Sequence, residues 1–211
     1  MTAEPSSTSP VLLVIAGPNG SGKSTLTSAL RNRGVEFPNY LNADDIALEL
    51  TGSSDERTAQ AQQIVIEKRG ELLRAGASIS YETVMSHESH LDFMRAALDR
   101  GYDVHLYFIG TEDAAINIDR VADRVAKGGH DVPENRTIGR YRTVMRKALP
   151  AALLLASYAE FYDNSSEYPI AVAKLRDGRL ELLTKELPSW IERYLLPHVG
   201  EGTKISLRPY H

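Results

Sequence analysis

Cysteine is absent from the 211 residues. That absence excludes disulfide staples, thiolate zinc sites and a cysteine nucleophile, and it suits a reducing compartment, so the cytoplasm is the expected location. Histidine is sparse, and the six present show neither HExxH nor any paired metal-ligand spacing. Long apolar runs are missing as well. The stretch Val11 to Ala16 is far shorter than the roughly 20 residues of a spanning helix. Met1 to Pro10 carries no Lys or Arg, so neither a signal peptide nor a membrane anchor is expected. Charge of one sign is not concentrated anywhere: 24 Lys and Arg stand against 28 Asp and Glu, net -4, with no block of five like charges. A general nucleic-acid surface is therefore not expected.

What is present reads as one α/β domain over residues 11–211, preceded by a Ser, Thr and Pro-rich arm, residues 1–10, too poor in apolar side chains to offset its ordering entropy. Val11 to Ala16 is an unbroken aliphatic run bounded by glycine, the pattern of a strand buried on both faces. Lys23 to Arg33 reads as a helix closed by Gly34. A short strand ends near Tyr40-Leu41-Asn42, and Asp44 and Asp45 open a helix. Asp55 to Ala75 is helical, Ala77 to Thr83 a strand, His90 to Arg100 a helix and Asp103 to Ile109 a strand. Asp113 to Ala126 and Thr137 to Lys147 are helices separated by Gly128-Gly129 and Pro133, which predicts an arginine-bearing lid over about residues 120–147. Residues 151–162 are expected to be helical, Ile170 to Leu175 and Arg179 to Leu183 to form a hairpin around Asp177-Gly178, and Pro188 to Leu196 to close with a helix. The alternation predicts an α/β fold of three layers, αβα, with a doubly wound, mainly parallel sheet and a helical lid.

The strongest chemical signal is Gly17-Pro18-Asn19-Gly20-Ser21-Gly22-Lys23-Ser24-Thr25. Its spacing matches the Walker A pattern, and it lies between a strand and a helix as that pattern requires. Glycines let successive amides, among them those of Asn19, Gly20, Ser21 and Gly22, curl around a β-phosphate, and the helix dipole adds to the attraction. Lys23 is placed to bridge β- and γ-phosphates and Ser24 to hold Mg²⁺. The loop implies ATP or GTP and does not read the base.

Further residues must direct the phosphoryl group. Asp44 and Asp45 follow the second strand, where an open parallel sheet places its ligands. Asp44 is a candidate general base and Asp45 a helix cap. Glu82 ends the Ala77 to Thr83 strand, with Thr83 beside it, and the strand from Val104 to Gly110 lacks the usual terminal aspartate, so Glu82 or Asp44 must serve the metal. Arg120, Arg124, Arg136, Arg140, Arg142 and Arg146 crowd the lid segment; Arg142 and Arg146 read as solvated helix faces, the others as candidates to stabilise a transferring phosphoryl group. His130 reads as a loop histidine without an assigned role.

Taken together, GPNGSGKST, the NADD segment, the YET strand end and RVAKGGHDVP followed by arginines resemble the zeta-toxin family of P-loop kinases over roughly residues 11–160. The resemblance implies ATP-dependent phosphorylation of UDP-N-acetylglucosamine at a sugar hydroxyl, and an antitoxin protein as partner. By motif position Asp44 resembles the family's catalytic base, Glu82 its substrate-contacting acid, and Arg124 and Arg136 its lid arginines. Two departures stand out. Thr83 replaces the family's glycine after the glutamate, and alignment of the lid needs a one-residue gap, which leaves Arg140 as an alternative to Arg136 and as a substrate contact. A metabolic small-molecule kinase and a nucleotide-dependent binding switch are the rival readings.

Overall fold

The computed structural model describes residues 9–127, 132–200 and 203–208. The chain runs β1 (Val11–Ala16), α1 (Lys23–Asn32), β2 (Tyr40–Leu41), α2 (Ala43–Glu49), α3 (Ser54–Arg74), β3 (Ile79–Thr83), α4 (Ser89–Leu98) and β4 (Asp103–Gly110). There follow α5 (Ala114–Ala126), α6 (Glu134–Thr143), a π-helical turn Val144–Ala148, α7 (Leu149–Leu155), β5 (Tyr158–Asp163), β6 (Ile170–Arg176), β7 (Arg179–Leu182), α8 (Ser189–Tyr194) and β8 (Lys204–Leu207). One sheet holds all eight strands in the order β2-β3-β1-β4-β5-β6-β7-β8. The first five are parallel, β6 and β7 continue antiparallel, and β8 lies parallel to β7.

The aliphatic run of β1 has a direct cause in this order. It lies between β3 and β4, and both of its faces are covered. Leu12, Val14 and Ala16 enter the larger core with Phe108, Phe161 and Trp190, whereas Leu13 and Ile15 enter a smaller one with Leu26 and Leu30 of α1. Neither face tolerates a polar side chain, so alternation is absent. The long helix α3 starts at a capping box, in which Ser53 accepts from the Glu56 amide and Glu56 returns to the Ser53 amide, a device worth about 1 kcal/mol. Among the described residues no helix is long and apolar enough to cross a membrane.

Two expectations are corrected, and one strand was not foreseen. Residues 151–162 are not one helix: α7 ends where Ala156 turns extended, with φ -88° and ψ 128°, and Tyr158 to Asp163 continue as β5 beside β4. The leucine-rich turn of α7 masked an aromatic strand whose buried places are filled by Phe161 and Tyr162. The edge strand β8 was not expected; all four of its residues are exposed, so it shows no buried alternation to read. The Ala43–Glu49 helix is capped by Asn42, whose Oδ1 accepts from the Asp44 amide at 2.9 Å, so Asp45 is not the cap.

Candidate active site

The β1–α1 loop closes against its neighbours through backbone and side-chain contacts together. The Gly17 amide donates to the Thr83 carbonyl at 3.3 Å, joining the loop to the end of β3. Gly20 and Gly22 sit at φ +74° and +97°, and a Cβ at either would approach Asn117 O or Asn164 Nδ2 to 2.4 Å. Glycine is required at both. Gly22 precedes α1 with no side-chain cap, so the first amides of the helix remain directed at the loop. Lys23 folds back over this loop, its Nζ donating to the Gly17 carbonyl at 3.0 Å and the Pro18 carbonyl at 3.1 Å. Burial lowers its pKa to about 8, against the opposing pull of Glu82 and Asp44, and Arg124 and Arg140 depress it further. The charges of four predicted site residues, Glu82, Asp44, Arg124 and Arg140, thus act on one ammonium group. Ser24 and Thr25 occupy the exposed first turn of α1.

Glu82 is the hub of the acids. Its Oε2 accepts from Ser24 Oγ at 3.2 Å, and its Oε1 from Thr27 Oγ1 at 2.5 Å and Tyr40 OH at 2.7 Å. Asn42 Nδ2 in turn donates to Tyr40 OH at 3.3 Å. Burial and the bond to Glu82 raise the pKa of the Tyr40 phenol, so it remains a donor. Asp44 is exposed in the first turn of α2. Burial and the charges of Glu82 and Asp44 hold the Asp45 carboxyl above its ordinary range.

Thr83 is engaged on three sides. Its hydroxyl lies 3.1 Å from His90 Nε2 and accepts from the Met85 amide at 2.9 Å, and its carbonyl receives Gly17. His90 Nδ1 meets Arg69 Nη1 at 3.2 Å, and burial with the Arg69 and His87 charges lowers the His90 pKa to about 4.

The arginines separate by geometry. Arg140 Nη1 donates to Asn19 Oδ1 at 3.1 Å, the direct bond from the α6 arginines to the loop. Arg136 is exposed one helical turn before it and acts on its charge. Arg124 ends α5 near Lys23 and lines an open cavity of about 400 Å³ with Arg120, Asp123 and Lys127. Arg120 is committed elsewhere, donating to the Asn164 carbonyl at 2.6 Å and the Ser166 carbonyl at 2.8 Å. Arg142 and Arg146 are exposed. Gly128, Gly129 and His130, at the centre of the expected lid, lie outside the described residues.

Sequence reasoning missed Thr27, Tyr40, Asn117 and Asn164. Asn117 is buried, donates to the Asn19 carbonyl at 2.6 Å and accepts from Thr111 Oγ1; Asn164 donates to the Ser21 carbonyl at 2.8 Å. An amide side chain in a helix or after a strand carries no motif. The one readable signal was Thr27, one helical turn beyond Lys23 and thus on the face of α1 turned to β3.

The family model described as Zeta toxin matches residues 1–153. The chain belongs to the Zeta toxin family. An uncharacterized protein of Haemophilus influenzae is 30% identical over 126 residues, 59% of this chain and 88% of that protein. Among solved structures, the AvrRxo1-ORF1:-ORF2 complex with ATP superposes with a TM-score of 0.68 at 17% identity over 92% of this chain. This zeta-family chain spans 66% of the length of that one. The PezAT chromosomal toxin-antitoxin system of Streptococcus pneumoniae gives a TM-score of 0.53 at 17% identity, covering 78% of this chain and 73% of its own. Identities this low establish the shared P-loop kinase fold.

Proposed function

We propose that this zeta-family protein is an ATP-dependent small-molecule kinase that phosphorylates a hydroxyl of UDP-N-acetylglucosamine or a related nucleotide sugar. The observation that carries the reading is that Lys23, Arg140 and, through Ser24, Glu82 all bond to one glycine-rich loop and the helix it opens. The loop amides and Lys23 hold the β- and γ-phosphates. Asp44, exposed beside them, accepts the proton of the acceptor hydroxyl as its oxygen attacks the γ-phosphorus and the bond to the bridging oxygen of ADP breaks. Arg124, with Arg140 or Arg136, takes up the charge that gathers on the transferring group, from a lid spanning about residues 120–147 of a single domain over residues 11–211. Glu82 and Thr83 shape the acceptor side. The hard oxygens of Ser24 and Glu82, already paired at 3.2 Å, fit Mg²⁺, which would neutralise phosphate charge when bound.

The family and the partner protein in the PezAT structure also support an antitoxin as partner of this chain. The deciding experiment is incubation with ATP, Mg²⁺ and a panel of UDP-sugars, nucleotides and polyols, followed by mass spectrometry. A gain of one phosphate on a UDP-sugar is expected. Transfer to a polyol instead would make the protein a metabolic kinase, and nucleotide binding without transfer to any acceptor would make it a switch.

A further inference from the structure

The phosphate loop is held from a part of the chain that the family match does not reach. The matched region ends at residue 153, and β5 with everything after it lies beyond. From the end of β5, Asn164 reaches back to the loop, its Nδ2 donating to the Ser21 carbonyl at 2.8 Å. A methyl group added at Gly22 would come within 2.4 Å of the same Nδ2. Contact and hydrogen bond therefore fix the Ser21–Gly22 peptide immediately before Lys23.

Asn164 is itself immobilised through every backbone group. Its amide donates to the Gly110 carbonyl at 2.9 Å, and its own carbonyl accepts from Arg120 at 2.6 Å. The preceding residue, Asp163, accepts from the Trp190 indole N–H at 2.8 Å and from Ser165 Oγ at 2.7 Å. Trp190 is fully buried and its ring packs on Gly110. Its amide and that of Ser189 donate to Glu112, at 3.2 and 2.7 Å, which ties the start of α8 to the end of β4. A continuous set of bonds thus runs from α8 through Trp190, Asp163 and Asn164 to the phosphate loop.

We propose that Asn164 is a positioning residue for nucleotide binding, and that the segment after residue 153 supplies the brace that keeps the loop open for a triphosphate. The inference rests on the kinase reading for its nucleotide, while the bracing of the loop stands independently of which acceptor is used. Preorganisation is the physical reason: a loop already shaped for phosphate loses less conformational freedom on binding.

The test uses the full chain with Asn164→Ala, and with the isosteric Asn164→Asp in case the smaller side chain impairs folding. ATP affinity with Mg²⁺ is measured by calorimetry, and backbone amide exchange is followed without nucleotide. Asn164→Ala is expected to bind ATP about tenfold more weakly, the scale of one lost buried hydrogen bond, and Asn164→Asp more weakly still, since its carboxylate cannot donate to the Ser21 carbonyl and adds a charge repelling phosphate. The peptide covering residues 17–24 should exchange faster, with β4 and α7 unchanged. Where turnover is measurable, KM for ATP rises and KM for the acceptor does not. ATP affinity within about twofold of the parent, with unaltered exchange in the loop, overturns the brace. A parent protein that binds no ATP at all ends the kinase reading, and the exchange measurement then still decides whether Asn164 holds the loop.

Discussion

The Ser24 hydroxyl and the Glu82 carboxylate, 58 residues apart in sequence, meet at 3.2 Å. The pairing puts an acid from β3 where strand β4, ending in Ile109-Gly110, has none to offer. A carboxylate at this point accepts the serine hydrogen bond on Oε2, while Thr27 and Tyr40 occupy Oε1, so Oε2 is the oxygen with a lone pair to offer a cation. Glu82→Gln keeps the shape and removes the charge. Phosphoryl transfer is expected to fall about 100-fold with ATP still bound, the scale of losing one electrostatic group at a transferring centre. Steady-state kinetics alongside ATP calorimetry check this.

Tyr40 donates to the same carboxylate from the opposite side, at 2.7 Å. Tyr40→Phe removes one of the hydroxyls that orient Glu82 and leaves Ser24 and Thr27 in place. A loss of about three- to tenfold in kcat is expected, with a melting temperature within a few degrees of the parent. An unchanged kcat would show that Ser24 and Thr27 suffice.

Lys23 predicts opposite pH trends for binding and for stability. Its pKa of about 8 in the folded protein lies below its ordinary 10.5. A triphosphate favours the charged ammonium and draws a proton in, so ATP affinity is expected to fall as pH rises from 7.5 to 9.5. The unfolded chain holds that proton more tightly than the fold does, so this group makes the nucleotide-free protein more stable over the same interval. ATP titrations and urea denaturation at matched pH values measure both slopes.

Arg140 and Arg136 lie one turn apart, and Arg140 carries the bond to Asn19. Arg140→Ala is expected to cost about ten times more in kcat/KM than Arg136→Ala, as direct charge-assisted bonds outweigh exposed charges. Equal losses would place both guanidinium groups on the phosphates.

His90 remains neutral inside the fold, with its pKa lowered to about 4 from 6.5. The unfolded chain takes up a proton as pH falls below 6.5 and the folded one does not, so stability is lost between pH 6.5 and 4, on the order of 3 kcal/mol. His90→Gln should flatten that part of the profile. Chemical denaturation at pH 6.5 and 4.5 compares the two proteins.

The glycine-rich loop was legible because its spacing is written in one contiguous stretch, and β1 because a doubly covered strand must be aliphatic throughout. Glu82 was legible from its place at a strand end. The misreading at 151–162 has a local cause: Ala151 to Leu155 are strong helix formers, and no glycine or proline marks the change to an extended chain at Ala156. Asn117 and Asn164 were illegible for a different reason. Each acts on a carbonyl 98 or 143 residues away, and an amide side chain shows nothing of its partner until the sheet brings the two together.

Lys23, finally, places two of its three ammonium donors on the carbonyls of Gly17 and Pro18. A ligand that recruits all three donors must displace two carbonyl groups of the protein itself. A single inorganic phosphate offers little in exchange, whereas a triphosphate reaches the ammonium while gripping the loop amides at the same time. Discrimination by polyphosphate chain length is the expected consequence, with inorganic phosphate bound more weakly than ATP.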